Sequence, residues 1–121
     1  MRIIGVKITK RIGMNNESGK KNDEEKLRYD LNPVDFWQSL AKVLTYGAAK
    51  YGDRNWEKGM QYSRVYAAAL HHLFAWARGE EIDEESGLPH IDCAATNLVF
   101  LSVYAKRGIG IDDRHKIEDK T

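Results

Sequence analysis

Cysteine is almost missing from this chain. The single thiol, Cys93, excludes an intrachain disulfide and fits a reducing compartment. Proline is nearly as scarce: only Pro33 and Pro89 occur, and both stand where a helix is expected to begin. An excess of one charge is lacking too, with 19 basic against 18 acidic residues and a formal net charge of +1. That balance gives no whole-molecule attraction to long nucleic acid or to a membrane surface, so any anion site must be built locally. No apolar run approaches the roughly 18 residues of a membrane span. The opening MRIIGVKITKRIG is basic but lacks the apolar stretch of a signal peptide. No internal repeat occurs. A soluble, cytoplasmic protein is expected.

What is present reads as one domain over residues 1–121. Ile4, Val6 and Ile8 alternate with Gly5, Lys7 and Thr9, giving a β-like arm within 1–14. Residues 15–26, NNESGKKNDEEK, form a mobile polar loop. A helical core is expected over 27–107 and a polar tail, frayed or partner-bound, over 108–121.

The first helix is placed at about 34–50, with Asn32 as N-cap and an apolar stripe of Phe36, Leu40, Val43, Leu44 and Ala48. The second is placed at Arg64–Arg78, capped by Ser63, striped by Val65, Ala69, Leu73 and Trp76, and stopped by Gly79. The third is placed from Pro89 to about Lys106, with Ile91, Ala94, Ala95, Leu98, Leu101 and Val103 apolar. The fold class is therefore mainly α, a small bundle of three main helices with a short N-terminal β-like arm. So thin a core cannot house Trp37, Tyr46, Tyr66, Phe100 and Tyr104 together, and a homo-oligomer is expected.

Four clusters carry chemistry. Arg64, His71 and Arg78 recur every seven residues and share a helix face. Guanidinium binds phosphate bidentately, so the stripe suits a phosphate ligand, although it also fits a solvated face. His72 points elsewhere, toward Ala68 and Trp76, and reads as a core histidine or a ligand. Glu80, Glu81, Asp83, Glu84 and Glu85, followed by His90, are carboxylates that repel one another unless a cation or Arg78 relieves them. Mg²⁺ or Mn²⁺ suits such oxygen donors. His90, Cys93 and Asn97 form a polar stripe that lines a pocket or faces a partner. Finally YGDRNWEKG sets Tyr51 and Trp56 among Lys50, Arg54 and Lys58. It is either a corner pinned by Trp56 or an aromatic-and-cation nucleotide site.

LRYDLNP, LTYGAAKYGDRNWEKG and ALHHLFAWARGEEIDEESGLPHIDCAATN, in that order over roughly residues 26–104, resemble the N-terminal domain of the phage-associated dATP/dGTP diphosphohydrolases. Tyr51, Gly52, Asn55, Trp56 and Gly59 match the family's loop pattern. His72, Gly79, Glu80, Asp83, Ser86, Gly87, His90 and Asn97 match its second block. Cys93 stands where the resemblance implies a histidine. The resemblance implies a phage or prophage origin, hence the host cytoplasm, and an all-α nucleotide-associated domain.

Three functions stay open. The first is a metal-dependent (deoxy)purine nucleotide phosphohydrolase with Glu80, Asp83 and His90 as catalytic and metal residues. Its nucleotide-binding set is Lys50, Tyr51, Arg54, Asn55, Trp56, Arg64, His71, His72 and Asn97. The second is a non-catalytic binder that sequesters a nucleotide-derived signal of anti-phage defence. Its motive is that the paired ExxE and ExxD carboxylates of other all-α nucleotide pyrophosphohydrolases are absent: the second helix has no carboxylate at all. The third is a protein-interaction module.

Overall fold

The computed structural model describes residues 19–116, so the expected arm at 1–14 and the end of the tail lie outside the described residues. The chain divides between Pro33 and Val34 into two compact units. In the first, a 3-10 turn spans Tyr29–Leu31, and the Arg28 guanidinium forks onto the Asp30 carboxylate at 2.9 and 3.0 Å.

The second unit is mainly α. It holds α1 (Val34–Tyr51), α2 (Tyr62–Ala77) and α3 (His90–Arg107), with a 3-10 turn at Asn55–Lys58 between the first two. α1 packs on α3 and on that turn, and α2 packs on α3; the α1 and α2 backbones do not approach each other closely. α3 is thus a floor with a helix on either side. The α1 stripe is only half-buried, and no residue of α1 is fully buried. The core is correspondingly small: Val65, Ala69, Ala75, Cys93, Ala94 and Tyr104, joined by the polar His90 and Thr96. Trp37 and Tyr66 remain exposed.

Several expectations are corrected here. Trp76 faces solvent while Ala75 is buried, because a methyl group allows the close approach to α3 that an indole would block. On α3 the inward face is mixed: the polar His90 and Thr96 are buried with Cys93, Ala94 and Tyr104, while Ile91 and Leu98 are exposed. α2 starts two residues early, at Tyr62, and its cap residue is Gln61 rather than Ser63. The capping oxygen comes from the tail: the Ser63 N–H donates to Asp113 Oδ1 at 2.8 Å and its hydroxyl to Asp113 Oδ2.

The tail through Asp113 is therefore docked, not frayed. Tyr62 N–H donates to the Ile111 carbonyl at 2.8 Å, and Ile111 N–H to the Met60 carbonyl at 3.1 Å. Gly59 and Gly110 make this possible. Both have positive φ, and a Cβ on Gly59 would lie 2.7 Å from the Gly110 nitrogen. α2 ends as expected at Gly79, whose N–H reaches the Trp76 carbonyl while Glu80 N–H reaches that of Ala75, satisfying two end carbonyls. Gly108 closes α3 in the left-handed conformation. No helix among the described residues is long and apolar enough to cross a membrane.

Candidate functional site

A cleft of about 740 Å³ lies over α3 with α1 and α2 as its walls. Lys50 and Tyr51 come from the end of α1, and Arg54, Asn55 and Trp56 from the following loop. α2 gives Arg64, His71 and His72; α3 gives Cys93, Thr96, Asn97 and Phe100. Asp83, Glu85 and Ser86 enter from the loop before α3. The volume falls within the range of pockets that enclose small organic ligands, roughly 300–1,000 Å³.

The loop before α3 closes on itself, which is what delivers Asp83. Asp83 N–H donates to the Leu88 carbonyl at 2.9 Å, Gly87 N–H to that of Asp83 at 2.7 Å, and His90 N–H to that of Glu81 at 2.8 Å. The Ser86 hydroxyl and N–H then donate to Asp83 Oδ2 at 2.7 and 3.0 Å. Burial works against the ionised Asp83, yet the Ser86 donors, with His72 and His90 nearby, hold its carboxyl below the usual range. Beside it, His72 Nδ1 and His90 Nδ1 are 2.8 Å apart. One ligand atom from each of His72, Asp83 and His90 lies within 4.8 Å of the other two. Burial lowers the His72 pKa, opposed by Asp83 and assisted by His90 and His71, so His72 is a neutral imidazole near neutral pH. His90 is 6% exposed.

The cations differ in how far they are already engaged. Lys50 pairs with Glu85, which also accepts from the Tyr46 hydroxyl. Arg54 pairs with Glu57 at 3.1 Å, and Arg107 reaches the same carboxylate at 2.9 Å. Those two guanidiniums pull the Glu57 carboxyl below its usual value, Arg107 first. Arg64 makes no ion pair among the described residues. The lining carries Lys50, Arg54 and Arg64 against Asp53, Asp83 and Glu85, three of each sign.

Of the aromatics, Trp56 stacks on Phe100 with centroids 4.7 Å apart and planes 15° apart. Its carbonyl accepts from the buried Tyr104 hydroxyl at 2.6 Å, and Arg107 sits 5.9 Å from its ring centroid. Trp56 therefore pins the loop to α3 while lining the cleft. Tyr51 is 61% exposed, with the Lys50 ammonium 5.2 Å from its centroid. Asn97, which lines the cleft, donates its Nδ2 back to the Cys93 carbonyl at 3.0 Å, leaving its Oδ1 as an acceptor.

Two comparisons place this arrangement among known proteins. The family model for the dATP/dGTP diphosphohydrolase N-terminal domain matches residues 16–114. The chain belongs to this family. It is also 32% identical, over 97 residues, to a dATP/dGTP diphosphohydrolase of Salmonella phage PMBT28. The match covers 80% of the chain and 33% of that relative, so the chain spans about a third of the relative's length. No solved structure matches it.

Within this family member, all nine residues expected from the sequence to contact a nucleotide line the one cleft: Lys50, Tyr51, Arg54, Asn55, Trp56, Arg64, His71, His72 and Asn97. Of the expected metal set, Asp83 and His90 come together, and Glu80 instead pairs with Arg78 at 3.0 Å in solvent. The expected share of a face with Arg64 and His71 does not bring Arg78 to the cleft, because Arg78 is the C-cap of α2. Sequence reasoning missed Tyr46, Glu85 and Ser86 as lining groups. Glu85 stood in the expected acidic cluster, and Ser86 left a trace three residues after Asp83, the spacing at which a serine closes a turn on a carboxylate. Burial pushes the Cys93 thiol up, helped by the nearby Asp83 and Asp92 and opposed by the Ser86 hydroxyl 3.9 Å away, which favours the thiol over the nucleophilic thiolate.

Proposed function

We propose that this chain binds a (deoxy)purine nucleoside triphosphate in the cleft and, with a divalent ion such as Mg²⁺ or Mn²⁺, hydrolyses its phosphate chain. The carrying observation is the convergence of nine nucleotide-type side chains on one cleft that has Asp83, beside the buried His90, at its edge. The name of the phage relative, dATP/dGTP diphosphohydrolase, supports purine deoxynucleotides as the substrate class.

Charge supports the need for an ion. A lining with equal numbers of cationic and anionic side chains cannot by itself neutralise a multiply charged triphosphate. Asp83, kept ionised by Ser86, and His90 offer oxygen and nitrogen donors that fit a divalent ion. Bound there, such an ion supplies Lewis acidity and an activated water. The rest falls to this chain's own groups. Arg64, which makes no ion pair among the described residues, and His71 take up charge on the phosphate oxygens. Tyr51 offers a face for the base, and Asn97 Oδ1 accepts from a base N–H, which both purines carry. Water adds across one phosphoanhydride bond and releases two phosphate products.

Incubation of purified protein with dATP or dGTP and Mn²⁺, read by anion-exchange chromatography, tests this. Two phosphate products are expected, and intact nucleotide at high protein concentration would end the hydrolytic reading. A second reading, stoichiometric binding without turnover, is favoured by the single carboxylate at the histidine pair. Calorimetric heat of binding with intact nucleotide recovered would select it.

A further inference from the structure

The pair His72–His90 is arranged in a way that packing alone does not require. Two imidazole nitrogens of the same kind, Nδ1 and Nδ1, face each other at 2.8 Å. Two lone pairs at that distance repel, so either one proton is shared between them or both look at a common cation. Donor nitrogens bound to one ion at about 2.1 Å and at right angles lie about 3.0 Å apart, close to the spacing observed. Asp83 completes a third corner, with one ligand atom from each of the three residues lying within 4.8 Å of the other two. Two supports hold these donors. Ser86 fixes the carboxylate through Oδ2. The His90 N–H to Glu81 carbonyl bond anchors the start of α3.

We infer that His72, Asp83 and His90 form a three-donor face that binds a transition-metal ion, of the Mn²⁺, Fe²⁺, Co²⁺ or Zn²⁺ class, in preference to Mg²⁺. The inference rests on the metal-dependent reading above and adds to it a ligand, His72, and a selectivity. Mg²⁺ prefers hard oxygen donors and keeps its waters, whereas two neutral imidazoles with one carboxylate suit borderline ions and leave positions open for water or phosphate. The same-side approach from α2 and the α3 start explains why no helix here requires paired carboxylates.

Titration of the purified, metal-free full chain with Co²⁺, followed by its visible d–d absorption, tests the inference without any nucleotide present. One ion per chain is expected, undisplaced by a large excess of Mg²⁺ and displaced by Zn²⁺. His72→Ala and Asp83→Asn should each weaken Co²⁺ at least about tenfold. Equal displacement by Mg²⁺, unchanged affinity in His72→Ala, or no binding would overturn it. Should a variant unfold by circular dichroism, nitrogen NMR of the wild-type histidines decides. Zn²⁺ must shift both Nδ1 signals, and a shift in neither or only one would refute the shared site. Protein that binds Co²⁺ yet leaves dATP and dGTP intact upholds the ion site and overturns hydrolysis alone.

Discussion

The docking of the tail depends on Gly110, and its replacement gives a quantitative test. Gly110 has φ +82°, and an added Cβ would meet the Met60 carbonyl oxygen at 2.8 Å, Tyr62 Cε1 at 3.1 Å and Tyr104 Cδ2 at 3.3 Å. The first atom is backbone that already accepts from Ile111, and Tyr104 is 0% exposed, so neither can yield cheaply. Gly79 is the control: its φ is +91°, and a Cβ there would meet nothing within 4 Å. Both alanines carry left-handed strain of about 1–2 kcal/mol. Gly110→Ala adds overpacking of about 1–3 kcal/mol. It should therefore be about 2 kcal/mol less stable than Gly79→Ala, lowering Tm by roughly 6–12 °C relative to that control. Paired thermal and urea unfolding would measure the difference. Equal stability of the two variants would refute the close crossing of Gly59 and Gly110, and with it the docking of residues 111–113.

Four further outcomes are expected. Tyr104→Phe strands the Trp56 carbonyl and should cost about 1–2 kcal/mol in urea unfolding with an unchanged m-value. Asp113, its carboxyl lowered first by the Ser63 hydroxyl and then by the Ser63 N–H, contributes stability that is present above the ordinary carboxylate pKa. That contribution is lost as pH falls through the lower folded value. Asp113→Ala should thus be the less stable form at pH 7, and its deficit should shrink steadily in melts taken to pH values below the ordinary carboxylate pKa. Arg64→Ala should weaken nucleotide binding by roughly tenfold to a hundredfold in calorimetry, the loss of a charge-assisted contact of about 1.5–3 kcal/mol. The exposed Trp37, Tyr66, Phe74 and Trp76 make self-association the expected state, to be read as a mass above 13.9 kDa in light scattering.

How far the sequence reaches is best judged on α2 and α3. Apolar spacing located both helices to within about two residues, and Gly79 and Gly108 ended them where a left-handed residue closes a helix. Spacing failed at the start of α2 because the capping carboxylate, Asp113, is 50 residues away and leaves no local mark on Ser63. It failed again on the faces of α3. Hydropathy ranks Ile91 and Leu98 above His90 and Thr96, but the polar pair is buried because the His72 ring nitrogen, 2.8 Å from His90 Nδ1, and the Asp92 carbonyl, which accepts from the Thr96 hydroxyl, offset the cost of burying it.

By itself the sequence determined the helices, the family and the residue types that line the cleft, since periodicity, end signals and motif order are local properties. The tertiary structure alone decided which of those residues meet. Lys50 finds Glu85 across 35 residues, and His72 finds His90 across 18. Glu80 turns out to Arg78 while Asp83 turns in, because the loop before α3 closes through the Asp83, Leu88 and His90 backbone bonds. Such pairings follow from how two helices rest on a third, and no spacing along a single chain encodes that distance.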